Sequence, residues 1–172
     1  MHNKVAFRAA KAAVHAGLPA LRFNFRGVGK SAGSYSYGIG EGEDVTAALT
    51  FLAARFPGVP VCLIGFSFGA SVGLRVGATD PRVAVLAGLG VPVAVMNLEF
   101  MLGVLKPKLI VQGTLDQYGP RADVEVFYNS LAGPKQIHWV QNADHFFTGK
   151  LEEVQRVLSE FLKSVRNLPA AE

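Results

Sequence analysis

Val61-Cys62-Leu63-Ile64-Gly65-Phe66-Ser67-Phe68-Gly69-Ala70 decides how the rest of the chain is read. A proline, Pro60, stands before a short apolar run, the pattern of a buried strand. Gly-Phe-Ser-Phe-Gly ends the run, and Ala70 to Val76 can continue as a helix. A G-x-S-x-G sequence between a strand and a helix is a nucleophile elbow. The serine then sits on a sharp, strained turn, and the glycines two before and two after it are expected where a Cβ would clash. The turn lifts the Ser67 hydroxyl above the sheet and leaves the Phe68 backbone N–H aimed at a reacting carbonyl.

Working outward, the flanks alternate between helical and strand patterns. Residues 3–16 place Val5, Ala6, Ala9, Ala10, Ala13 and Val14 at helical spacing, and Gly17 stops them. Ala20 to Phe25 alternates and predicts a strand. Glu41 to Arg55 predicts a helix, with Glu41, Glu43 and Asp44 complementing the dipole of its first turn. Arg82 to Leu89 and Lys108 to Gly113 predict strands. Residues 91–105 are ambiguous between loop and short helix, and Met96 and Met101 fit core packing better than a pocket. Residues 121–131 predict a helix, Gln136 to Val140 the last strand, and 150–166 a clean amphipathic helix. This order implies an α/β fold with a mainly parallel sheet, in one domain over 1–172. Such sheets carry their sites at the carboxyl ends of the strands.

Ser67, Asp116 and His145 each follow a predicted strand directly, so all three fall on that rim. A serine alcohol needs a base to take its proton. A histidine supplies one near neutral pH, and a carboxylate fixes the imidazole tautomer. The order serine, aspartate, histidine is the one the elbow arrangement uses. Of the four histidines, His2 and His15 lie in or beside the first helix and His138 lies inside a strand. Asp116 has two rivals: Asp144, the neighbour of His145, and Asp123, which reads as a capping charge.

The totals exclude other classes. The chain has 172 residues, 50% hydrophobic and 17% charged, which is globular composition. A net charge of +4 with scattered Lys and Arg gives no nucleic-acid footprint. The one cysteine, Cys62, excludes an internal disulfide framework and reads as a buried, inert thiol in a reducing, cytoplasmic setting. No uninterrupted apolar run reaches membrane length. No cysteine pair or paired-histidine helix points to a metal, and no cofactor is expected. Gly29-Lys30-Ser31 imitates a phosphate-binding loop. The glycine required five positions before Gly29 is instead Asn24, and Gly33, Ser34, Gly38 and Gly40 oppose the required helix. The stretch reads as a loop near a site.

Taken together, Leu21 to Ser31, the elbow at Gly65 to Gly69, the Gly113 to Asp116 turn and Ala143-Asp144-His145-Phe146-Phe147 resemble the α/β-hydrolase superfamily. The resemblance is narrower to the small bacterial hydrolases grouped near dienelactone hydrolase, which itself carries cysteine where this chain has Ser67. It implies a three-layer α/β sandwich and acyl transfer from a small ester or lactone to water. Ser67 would be the nucleophile, His145 the base and then the acid, Asp116 the orienting carboxylate, and Phe68 N–H an oxyanion donor. In the family, further strands precede the first helix, and the loop before it supplies the second oxyanion donor. This chain opens at the helix, so an N-terminally truncated sheet is expected. Losing one such donor costs about 2.7–4 kcal/mol in the transition state. Three readings follow: Met1 is internal to a longer protein, the sheet re-pairs through a homodimer, or the chain is a catalytically impaired fragment that serves in binding or assembly.

Overall fold

The computed structural model describes residues 2–165, so Met1 and position 166 of the predicted last helix lie outside the described residues. Helix α1 (Lys4–His15) opens the chain, with the Asn3 side chain accepting the Ala6 N–H as its N-cap. Helix α2 (Ile39–Arg55) follows a long loop. Then come β1 (Val61–Phe66), α3 (Phe68–Thr79), β2 (Val83–Leu89), a short 3₁₀ turn at Glu99–Met101, β3 (Lys108–Gly113), α4 (Arg121–Ser130), β4 (Lys135–Val140) and α5 (Leu151–Val165). The four strands lie in the order β1-β2-β3-β4, and every pair is parallel.

The side-chain period of two along the strands builds two apolar layers. Val85, Ala87 and Leu89 of β2 and Leu109 and Val111 of β3 point to one face, where α1 and α5 cover them. Leu86 of β2 and Ile110 of β3 point to the other, against Val45 and Leu49 of α2, Leu74 of α3 and Val124 of α4. Helices on both faces of a parallel sheet are the expected three layers. Met101 is fully buried in the second layer, as a core residue.

Three expectations are corrected. Ala20 to Phe25 forms no strand; it is irregular chain. Among the described residues no strand pairs with the outer edge of β1, so the alternating segment has no ladder to join. Side chains hold it instead. Phe23 and Phe25 meet edge to face at 5.5 Å, and Arg26 grips Asp44 of α2 with its backbone N–H at 2.8 Å and its guanidinium at 2.9 Å. Because α2 begins at Ile39, Glu41 lies in its first turn, whereas Glu43 and Asp44 lie past it and pair with Arg26 rather than with the dipole. Glu41 is buried, and its carboxylate accepts the Ser36 and Gly38 N–H groups, each at 2.8 Å. Asp123 is likewise not a cap: Pro120 holds that position, and Asp123 sits in the first turn.

Candidate active site

Because the strands are parallel, their carboxyl ends share one rim, and backbone bonds continue past them. Ser67 N–H donates to Leu89 O, Gly90 N–H to Val111 O and Thr114 N–H to Val140 O. Ser67 follows β1 immediately and caps α3 at φ 54°, ψ −123°. Positive φ in a non-glycine residue is strained backbone, held here by the strand behind it and the helix in front. Gly65 must be glycine, since a Cβ there would lie 2.5 Å from Ala70 Cα and from Gly69 O. Gly69 differs from expectation: a Cβ would come no closer than 3.9 Å to Phe25. Phe68 opens α3, where a helix leaves its first N–H groups without intrahelical partners.

The three rim residues converge. His145 Nε2 lies 2.8 Å from Ser67 Oγ, and His145 Nδ1 lies 2.8 Å from Asp116 Oδ2. A carboxylate only accepts, so Nδ1 carries the proton and Nε2 accepts the serine O–H. Asp116 and His145 are buried, and Ser67 is half-buried at the opening. Asp116 Oδ1 accepts the Tyr118 N–H at 2.9 Å and the Gly119 N–H at 3.3 Å. The imidazole is packed between rings: Tyr118 at 4.6 Å, Phe66 at 5.1 Å and Phe146 at 5.2 Å between centroids. Gly90 backs it, its own φ at 53° and a hypothetical Cβ only 3.3 Å from His145 Cε1.

The rivals are elsewhere occupied. Asp144 accepts from Phe146 N–H, Thr148 N–H and Thr148 Oγ1, which close its own turn. His138 pairs with Glu153 at 2.9 Å, and His15 with Gln155 at 3.1 Å. The imitation phosphate loop is irregular chain, with Ser31 Oγ donating to Asn24 O rather than opening a helix. Burial pushes the Cys62 thiol up to about 12. Among the described residues no cluster of three or more His, Cys, Asp or Glu side chains is placed to hold a metal, and no helix is long and apolar enough to cross a membrane.

One residue escaped the sequence reading. Gln112 is fully buried and donates from Nε2 to Asp116 Oδ2 at 2.8 Å. Its only sequence signal is a polar residue inside an apolar strand, one turn of loop away from a candidate acid.

A strained serine after a parallel strand, bonded to a histidine that is bonded to a buried aspartate, is the arrangement of serine hydrolases built on elbows. A homologue of α/β serine hydrolases from Coxiella burnetii is 38% identical, with a TM-score of 0.88 over 94% of this chain and 77% of that one. An α/β serine hydrolase without a lid from Xanthomonas campestris is 33% identical, with a TM-score of 0.86 over 100% of this chain and 77% of that one. The Rickettsia prowazekii protein RP471 is 33% identical over 177 residues, 97% of this chain and 74% of its own. The family model of the PhoPQ-activated pathogenicity-related protein matches residues 78–171. The chain belongs to the α/β-hydrolase superfamily, among its serine hydrolases, and through residues 78–171 to the PhoPQ-activated pathogenicity-related family.

Proposed function

We propose that the protein hydrolyses small carboxylic esters or lactones through an acyl-enzyme on Ser67. The observation that carries this reading is the unbroken chain from Asp116 Oδ2 to His145 to Ser67 Oγ, 2.8 Å at each link. Ser67 Oγ attacks the carbonyl carbon while its proton passes to His145 Nε2. Charge gathers on the former carbonyl oxygen, and the Phe68 N–H donates to it. The imidazolium, held by Asp116, returns the proton to the leaving alkoxide, and the acyl group stays on the serine. Water then attacks the acyl carbon with His145 again as base, the acyl–Oγ bond breaks as His145 returns the proton to Ser67 Oγ, and the acid departs. The exposed faces of Tyr118 and Phe146 at the rim suit an apolar acyl or alcohol group.

A second reading is supported by the outer edge of β1, which no strand covers among the described residues. An open edge fits a chain whose site is impaired and whose role is binding or assembly, through a homodimer. Intact-mass labelling with a fluorophosphonate separates the two. The hydrolase reading expects one adduct on the folded protein and none on Ser67→Ala. No adduct on the folded wild type refutes it.

A further inference from the structure

Gln112 lies inside β3, one residue from its end, and is 0% exposed. A primary amide brings two donors and an acceptor into the core, and each must find a partner. All do. Oε1 accepts the Val91 N–H at 2.8 Å; Nε2 donates to Asp116 Oδ2 at 2.8 Å and to Gly119 O at 3.1 Å. The orientation of the amide is therefore determined. Val91 N–H can only donate and Gly119 O can only accept, so a flipped amide would set donor against donor and acceptor against acceptor.

Asp116 shows what this bond supplies. Two backbone N–H groups anchor Oδ1, which alone would leave the carboxylate free to pivot about that oxygen. Among the described residues, Oδ2, the oxygen facing His145, has Gln112 as its one second donor. The same side chain reaches Val91, next to Gly90, which lies against the imidazole. We propose that Gln112 is a positioning residue of the site: it holds Asp116 Oδ2 on His145 and joins the loop after β2 to the one after β3. Its effect on turnover rests on the serine-hydrolase reading; its effect on the imidazole does not.

The test compares wild type with Gln112→Met, which keeps the volume and removes the amide. The first readout is the proton NMR resonance of His145 Nδ1–H, assigned by its loss in His145→Gln. The second is the rate of fluorophosphonate labelling. In a variant that still melts cooperatively, the resonance is expected to shift and exchange faster with water. Labelling is expected to slow by about tenfold, the usual scale for residues that orient a reactive group. An unchanged resonance and an unchanged rate would overturn the proposal. Should Gln112→Met fail to fold, Gln112→Glu has the same shape but turns an acceptor toward both Asp116 Oδ2 and Gly119 O. It is expected to lose at least as much rate, and labelling at the wild-type rate would overturn the proposal equally. A wild type that shows the Nδ1 resonance but takes no label counts against the hydrolase reading alone; the NMR comparison still decides Gln112.

Discussion

Asp116→Asn offers the sharpest perturbation, because the structure dictates which way the new amide must face. Among the described residues, the four groups around the Asp116 carboxylate are all donors: Tyr118 N–H and Gly119 N–H on Oδ1, His145 Nδ1–H and Gln112 Nε2–H on Oδ2. Asparagine keeps one acceptor oxygen and gains an NH₂ group. The two backbone N–H groups cannot adapt, so the oxygen stays with them and the NH₂ meets His145 and Gln112. Flipping Gln112 only moves the conflict to Val91 N–H. His145 must then present Nδ1 unprotonated, and its proton moves to Nε2, 2.8 Å from Ser67 Oγ. A base that already carries the proton cannot remove the serine's. A wrong tautomer costs triads of this kind about 10⁴ in rate, or about 5.4 kcal/mol at about 1.36 kcal/mol per decade. The assay is the second-order rate of fluorophosphonate labelling at neutral pH, beside a thermal melt to show that the variant folds. A folded variant that labels within threefold of wild type would refute the assignment of Asp116.

The two glycines of the elbow are expected to behave differently. Gly65→Ala drives a Cβ into the Ala70 and Gly69 backbone and is expected to cost about 3 kcal/mol or more. Gly69→Ala has open space in a helix and is expected to melt at or above wild type, by about 0.5–1 kcal/mol; equal melts for the two variants would sink the steric argument. Acid should unfold the protein in a defined window. Arg26 holds Asp44, Arg82 holds Asp80, and Thr148 holds Asp144 below the usual carboxylate range, so their ionised forms favour the native state. That stability is complete above the unfolded value of about 4 and lost as pH falls through the lowered native values. The melting temperature should be flat from neutral pH to about 5 and fall below about 4; a steady decline beginning near neutrality would contradict it. Cys62, with its thiol pushed up to about 12, should resist a thiolate-seeking alkylator at pH 8 and react once urea unfolds the chain. Equal rates in the two states would show the thiol is not protected.

The site could be read because its logic is topological. Parallel strands put every carboxyl end on one rim, so locating three strands located Ser67, Asp116 and His145 together before any distance was known. Local pattern also separated His145 from His138, since one follows β4 and the other lies within it. Gln112 could not be found that way. A glutamine in Lys108–Gly113 has the same strand signature whether it faces solvent, packs idly or holds an aspartate. Its three partners come from loops after β2 and β3 that are distant from it or fixed only on folding. Asp44 shows the same limit: its charge suits a helix start, but it lies past the first turn of α2, and its partner Arg26 lies 18 residues earlier in an irregular loop.

Ala20 to Phe25 shows where pattern fails on principle. Alternation describes one chain, whereas a strand is a bond pattern between two, and among the described residues β1 shares its ladder with β2 alone. Lacking a ladder, the segment is held through its rings. Phe25 meets Phe68 edge to face at 5.7 Å, and Tyr35 meets Phe68 from another side at 5.6 Å. Phe68 is the residue whose N–H would face the developing oxyanion. The alternating segment therefore bears on the chemistry through aromatic packing around the elbow rather than through a backbone ladder. The aromatic residues that made Ala20 to Phe25 look like a strand are the same ones that hold it in place without becoming one.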